Sequence, residues 1–285
     1  MARKEKEQNG FFSRLFRRRP MVPVVRLSGA IGISMPLVSS MSLASVSKQL
    51  DRAFAYRRAP AVALVVNSPG GAPAQSHLIY QRIRQLAEKN KKKVFVFVED
   101  VAASGGYMIA CAADEIFADP YSIVGSVGVV SASFGFEKML KKAGIERRVY
   151  TAGDNKRQLD AFLPAKPEDI RRLKALQTTI HAEFIALVKR SRGKRLAESD
   201  KTLFNGEYWL AEQANAYGLI DGVGDVRGTL QKRYGANVAL PLIAPPGGLL
   251  SRRIPGLSQA ILGPDGAKSL LGALEERALW GRYGL

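Results

Sequence analysis

Val94-Phe95-Val96-Phe97-Val98-Glu99-Asp100-Val101-Ala102-Ala103-Ser104-Gly105-Gly106-Tyr107 opens on five consecutive apolar residues and ends in a Ser-Gly-Gly turn. A short continuous apolar run bounded by turn residues is the pattern of a parallel strand buried on both faces. Ala61–Asn67 repeats the pattern and turns at Asn67-Ser68-Pro69-Gly70-Gly71. A helix is expected after each turn: Pro73–Lys89, with Leu78, Ile79, Ile83 and Leu86 on one side, and Gly105–Ala113. Working outward, Val22–Leu27 reads as a first strand and Ser45–Arg57 as a helix. Glu115–Ala118 reads as a short strand, Gly125–Val130 as strand or loop, Phe136–Ala143 as a helix and Arg147–Thr151 as a strand. Strand alternating with helix predicts an α/β fold with a parallel sheet and right-handed crossovers.

Beyond Lys166 the period changes. Pro167 suits the first position of a helix. Ile170, Leu173, Leu176, Ile180, Phe184, Leu187 and Val188 then recur every three or four residues, which predicts a helix to about Arg192. A shorter helix is expected around Leu210–Tyr217. Pro245-Pro246-Gly247-Gly248 signals a linker, and Ala267–Trp280 is amphipathic through Leu270, Leu271, Leu274 and Leu279. The expected organisation is a basic N-terminal arm (1–20), one domain (21–237) and a tail (238–285) whose helix docks on the body or on a partner.

The 285 residues are 46% apolar and 24% charged, enough to bury a core without staples. One cysteine, Cys111, leaves neither an internal disulfide nor a thiol cluster for zinc. With only His77 and His181, a histidine-rich metal site is not expected either, and no cofactor is implied. The net charge of +18 favours anionic surfaces. No nucleic-acid-binding motif accompanies it, and Lys89–Lys93 and Lys189–Arg195 read as solvated faces. No apolar run reaches the ~20 residues of a membrane-spanning helix. Between Phe11 and Arg19, Phe12, Leu15 and Phe16 share one helical face beside Arg17, Arg18 and Arg19, with Phe11 preceding them. This pattern suits a helix lying on an anionic membrane, or a solvated basic arm.

Both glycine-rich turns follow buried strands, so both are expected on the carboxyl edge of the sheet, where open α/β folds bind ligands. Adjacent glycines let backbone N–H groups face a ligand, and such donors form oxyanion holes. Ser104 falls where a helix begins, a position that favours developing negative charge but also suits an ordinary N-cap serine.

Three segments taken together, Asn67-Ser68-Pro69-Gly70-Gly71, Asp100–Tyr107 and Gly125-Ser126-Val127-Gly128-Val129, closely resemble the protease IV (signal peptide peptidase A) family. The resemblance runs from about Met21 to Asp225. It implies a Clp/crotonase-like fold of repeated ββα units with a parallel sheet, followed by a helical region. It implies Ser104 as nucleophile and a lysine base about fifty residues on, which is Lys156 in Gly153-Asp154-Asn155-Lys156. It further implies Gly70 or Gly71, together with Gly105, as oxyanion donors and Ser126 as an orienting group for the lysine. Two departures are visible: Leu163 interrupts the aromatic-Pro pair Phe162/Pro164, and Phe204-Asn205-Gly206-Glu207 lacks the usual Gly-Arg.

A lysine acts as base only after losing its proton, and its ordinary pKa is about 10.4. Apolar burial favours the neutral form, and Leu159, Phe162 and Leu163 are neighbours that supply it. A Ser-His-Asp site is not expected, because no histidine lies between Ser104 and Lys156. A crotonase-like acyl-CoA enzyme and a non-catalytic membrane-associated scaffold of the same fold are the alternatives. The resemblance also implies a homo-oligomer with sites near subunit interfaces and hydrophobic peptides as substrates. Attachment to the cytoplasmic face of a membrane is expected, with a cytoplasmic location as the alternative.

Overall fold

The computed structural model describes residues 19–32, 40–244 and 277–285. Residues 11–18 of the expected membrane anchor and the greater part of the amphipathic stretch 267–280 lie outside the described residues. The fold is α/β with a parallel sheet, as expected, in the order β1-β2-β3-β4-β7. Strand β1 is Val24–Ser28, β2 is Ala61–Ser68, β3 is Lys93–Ala103, β4 is Glu115–Ala118 and β7 is Gly222–Val223, all paired in parallel. Helix α1 (Leu43–Phe54) and helix α2 (Pro73–Asn90) make the first crossovers, and α3 (Gly105–Ala110) follows β3.

The continuous apolar runs are explained by two cores. Val62, Leu64 and Val66 of β2 enter the larger one, beneath α1, α2 and α3. Their alternate neighbours Ala61, Ala63 and Val65 enter a second cluster on the opposite face, with Phe95, Phe97 and Leu230. Leu230 belongs to helix α8 (Val226–Tyr234), a mostly polar segment whose sequence gave no periodic signal.

Strand β3 changes partners partway along. Phe95–Val98 pair with β4, but Val101–Ala103 pair with β5 (Ile123–Gly125). Against β2, Val66 faces Val98 while Ser68 faces Ala102, so β3 carries two extra residues between them. Side chains answer the disrupted ladder. Asn67 donates from Nδ2 to Asp100 at 2.6 Å and accepts the Val101 N–H at 3.3 Å. Ser122 donates to the Val98 carbonyl at 3.1 Å and also reaches the Glu99 carbonyl.

Between β5 and the long helix come α4 (Glu137–Lys142) and an exposed arm, roughly residues 131–165. The long helix α5 spans Pro167–Arg192, as its periodicity predicts, and buries Phe184, Leu187 and Val188 in the larger core. A short α6 (Asp200–Leu203), strand β6 (Tyr208–Leu210) and α7 (Ala211–Ala216) complete the order, with β6 antiparallel to β5. One expectation fails. Arg147–Thr151 is not a strand, because it lies exposed in the arm with no strand beside it. Gly125–Val130 contributes to a strand only at Gly125, since Ser126 takes a left-handed φ of 55° and ends the pairing.

Arg192 is 1% exposed at the end of α5. Its guanidinium donates to Asp221 at 2.7 and 3.1 Å and to the Gly218 carbonyl at 2.9 Å. Asp221 also accepts the Ile116 N–H at 2.7 Å, tying α5 to β4. Burial alone would raise the Asp221 carboxyl, but Arg192 and the Ile116 N–H outweigh it and hold the group below its ordinary range. Nearby, Cys111 is buried, and that burial pushes its thiol up to about 12.

Arg192→Met should cost about 3 kcal/mol in urea unfolding, because removing one partner leaves a buried carboxylate short of donors. A loss below about 1 kcal/mol would mean that Arg195, which also reaches Asp221 at 3.1 Å, suffices alone. The Asp221 contribution is complete above the ordinary carboxyl pKa of about 4 and is lost as pH falls through the lower folded value. The wild-type advantage over Arg192→Met should therefore shrink in acid. The Cys111 thiol should resist a neutral-pH alkylating reagent in the folded chain and react on unfolding, read by mass spectrometry.

Candidate active site

Ser104 stands where β3 passes into α3. Its backbone is held at φ 52° and ψ −120°, a conformation that residues with a Cβ seldom adopt. Two hydrogen bonds hold it there: its N–H donates to the Gly125 carbonyl at 2.9 Å, and its carbonyl accepts the Met108 N–H at 3.0 Å. The hydroxyl makes no capping bond to the helix. It is therefore not spent on the local role that a serine at this position ordinarily plays. The side chain is half-buried.

The first glycine turn lies directly against the second. A Cβ placed on Gly70 would fall 2.8 Å from the Ser104 Cβ and 2.9 Å from the Gly105 nitrogen. Gly71, at φ 144°, runs beside Ile31, whose N–H bonds to the Gly70 carbonyl and whose carbonyl takes the Ala72 N–H. A Cβ on Gly71 would lie 2.1 Å from the Ile31 oxygen, so only glycine fits. This pairing turns the Gly71 N–H away from Ile31. Among the described residues neither that N–H nor the one on Gly105 has a hydrogen-bond partner. The Gly70 N–H is engaged instead by Ser68 Oγ at 3.2 Å. Of the three glycines, Gly71 and Gly105 thus keep a donor available, and Gly70 provides the close approach.

Several residues that shape this corner were not singled out as site residues from sequence. Ser68 donates to the Gly29 carbonyl at 2.7 Å while accepting from Gly70. Gly106 sits so close to β2 that a Cβ would meet the Ser68 carbonyl oxygen at 2.5 Å. Tyr107 is fully buried beneath α3, with its hydroxyl on the Leu219 carbonyl at 2.7 Å, and burial raises that hydroxyl well above its ordinary range. The signal was present in the quoted turns, where serine and glycine crowd together, but the partners lie tens of residues away.

Ser126 is buried next to Ser104, since the carbonyl before it holds the Ser104 N–H. Its own N–H donates to the Glu207 carbonyl at 2.7 Å. The next residue, Val127, has its carbonyl 3.0 Å from His181 Nε2. Lys156 is placed differently. It is exposed, in a turn closed by its N–H on the Gly153 carbonyl at 3.2 Å, and no hydrogen bond joins its ammonium to Ser104. Within one chain the structure brings together Ser104, Gly70, Gly71, Gly105 and Ser126, and leaves Lys156 in the arm.

That arm exposes an unusual amount of apolar surface. Val130, Phe134, Met139, Ile145 and Tyr150 are 58–90% exposed. The arm is nonetheless internally ordered: Phe136 packs on Phe162, whose other neighbour is the Arg147 guanidinium at 4.6 Å, and Arg147 pairs with Asp160 at 2.6 Å. Among the described residues no group of three or more His, Cys, Asp or Glu side chains is placed to hold a metal ion. No described helix is long and apolar enough to cross a membrane.

Comparison with known proteins places this geometry in context. The family model "Peptidase family S49" matches residues 86–237, just over half of the chain and the part that carries Ser104, Ser126 and Lys156. A Brucella abortus protein named Na(+)/H(+) antiporter NhaA is 56% identical over 97% of this chain and 39% of its own length. The Arabidopsis thaliana protein named serine protease SPPA, chloroplastic, is 29% identical over 90% of this chain and 39% of its own length. The chain thus spans about two fifths of either relative. A solved structure of the 1510-N membrane-bound stomatin-specific protease with a substrate peptide has a TM-score of 0.49 at 20% identity, covering 80% of this chain and 94% of that one. The antiporter name has no counterpart in the described residues, whose matched region is that of a peptidase model. This chain belongs to peptidase family S49.

Proposed function

We propose that the chain is a serine endopeptidase that cuts hydrophobic peptides with a Ser104–Lys156 dyad completed between subunits. One observation carries the reading: Ser104 is presented at a positive φ with no capping bond from its hydroxyl, beside the turns of Gly71 and Gly105, whose N–H groups have no partner among the described residues. Strain at a single residue costs about 1–3 kcal/mol and persists where surrounding structure enforces it, most often at functional sites.

In this mechanism Lys156, neutral, takes the Ser104 proton as Oγ attacks the scissile carbonyl. The Gly71 and Gly105 N–H groups donate hydrogen bonds to the developing oxyanion. The lysine then gives its proton to the leaving amine, and water releases the acyl group by the reverse path. Ser126 orients the lysine from beneath. A lysine in water keeps its proton, and Lys156 is exposed in one chain. The exposed apolar residues of the arm offer what is missing: a second copy packed on them would cover the arm and desolvate the base at once. Signal-peptide remnants and membrane-protein fragments are substrates of the right character. The basic segment Phe11–Arg19 would hold the enzyme at an anionic membrane surface, on the cytoplasmic side.

Ser104→Ala and Lys156→Ala should each lower turnover of a fluorogenic hydrophobic peptide by about 10³-fold or more, with melting temperatures unchanged. Mixed after subunit exchange, the two inactive variants should regain roughly a quarter of wild-type activity, as random pairing across an interface requires. No recovery despite proven exchange would place the dyad within one chain. Full activity in either single variant would remove that residue from the mechanism. Removing residues 2–19 should release the protein from anionic vesicles in a sedimentation assay, and unchanged co-sedimentation would exclude the arm as anchor.

A further inference from the structure

Residues 277–285 form a helical turn and a short return whose side chains are exposed or half-buried, with one exception. Tyr283 is 7% exposed. Its ring rests on Val101 and Ala103 of β3, with Ile123 of β5 and Trp280 at the margin, in an apolar cluster separate from both main cores. Tyr208 closes one side, edge-on at 5.1 Å between ring centres, and donates its hydroxyl to the Arg282 carbonyl at 3.3 Å. The Tyr283 hydroxyl reaches the polar end of the recess and donates to Ser126 Oγ at 3.3 Å.

Two walls of this recess, Ala103 and Ser126, border the candidate site. Ala103 immediately precedes Ser104, and Ser126 follows Gly125, whose carbonyl holds the Ser104 N–H. The recess therefore takes a flat aromatic ring on small apolar residues, of which Ala103 immediately precedes Ser104, and meets a phenolic hydroxyl at Ser126. Among the described residues the hold on the segment is slight: one buried ring and two long hydrogen bonds. Segments with so few contacts open at low free-energy cost.

We propose that this recess is the peptidase's pocket for an aromatic substrate side chain flanking the scissile bond, and that residues 280–283 occupy it as an internal competitor. The inference rests on the serine-peptidase reading for its catalytic meaning, though not for the existence of the pocket. Peptides carrying tyrosine next to the cleaved bond displace Tyr283 and take over its contacts. Peptides with alanine there gain little from the recess and compete poorly.

The test uses the full chain. Tyr283→Ala should lower KM for a tyrosine-containing fluorogenic peptide by about tenfold, the scale set by a tethered competitor at high effective concentration, with kcat little changed. Tyr283→Phe, which keeps the ring, should stay near wild type. Adding Ile123→Trp to Tyr283→Ala fills the recess and should abolish the preference for tyrosine over alanine peptides. A second measurement needs no turnover: a fluorescein-labelled Trp-Gly-Arg-Tyr-Gly peptide should bind Tyr283→Ala by fluorescence polarisation, and not the Ile123→Trp double variant. Binding that follows this pattern, with no turnover of any peptide, would keep the pocket and overturn the peptidase reading. Turnover with an unchanged KM in Tyr283→Ala, or no binding of the labelled peptide, would overturn the pocket and leave the peptidase reading standing.

Discussion

Strand β3 must serve two neighbours, and the rest of the site follows from how it does so. Its first half is locked between β2 and β4, and its last three residues belong to β5. The two-residue excess at Glu99–Asp100 makes the change of direction, and a strand that bends this way leaves backbone groups without ladder partners. Asn67 and Ser122 supply them. The end of β3 is thereby carried out of the main sheet and brought against the turn that ends β2. Two glycine turns that would otherwise sit side by side become two walls of one corner, with Ser104 between them.

What braces the corner lies behind it. Tyr107 and Arg192 hang from neighbouring carbonyls of the Gly218–Asp221 stretch, and Asp221 returns the contact to β4. Buried polar groups are costly unless fully partnered, and here each one is. The front of the molecule is built to a different standard. The arm carrying Lys156 has ion pairs and stacked rings of its own but contributes nothing to either core. Within one chain, Ser104 and the two glycine turns thus lie against the core, while Lys156 stays exposed in the arm.

The sequence was most legible where physics is local. Continuous apolar runs located β2 and the first half of β3, because burial on both faces leaves no room for polar residues. Spacing of three and four located α2 and α5, and crowded serine and glycine marked both turns. The bend in β3 was not legible, because Asn67 lies 33 residues from Asp100 and Ser122 lies 23 from Glu99. Arg147–Thr151 has the composition of a strand but no neighbour to pair with, a fact set by the fold and not by the segment. Helix α8 went unread because it buries a single leucine. Tyr283 gave no signal either, since a tyrosine outside any periodic run says nothing of where it will rest.

The left-handed backbone at residue 104 also narrows the choice of nucleophile. Serine, cysteine and threonine all perform covalent catalysis elsewhere. At a φ of 52°, a second heavy atom on Cβ crowds the backbone, and β-branched residues are genuine outliers there. Threonine is thus barred by geometry before its reactivity matters, whereas cysteine, unbranched like serine, fits the same dihedrals. The route by which this site could exchange one nucleophile for another runs through sulfur alone.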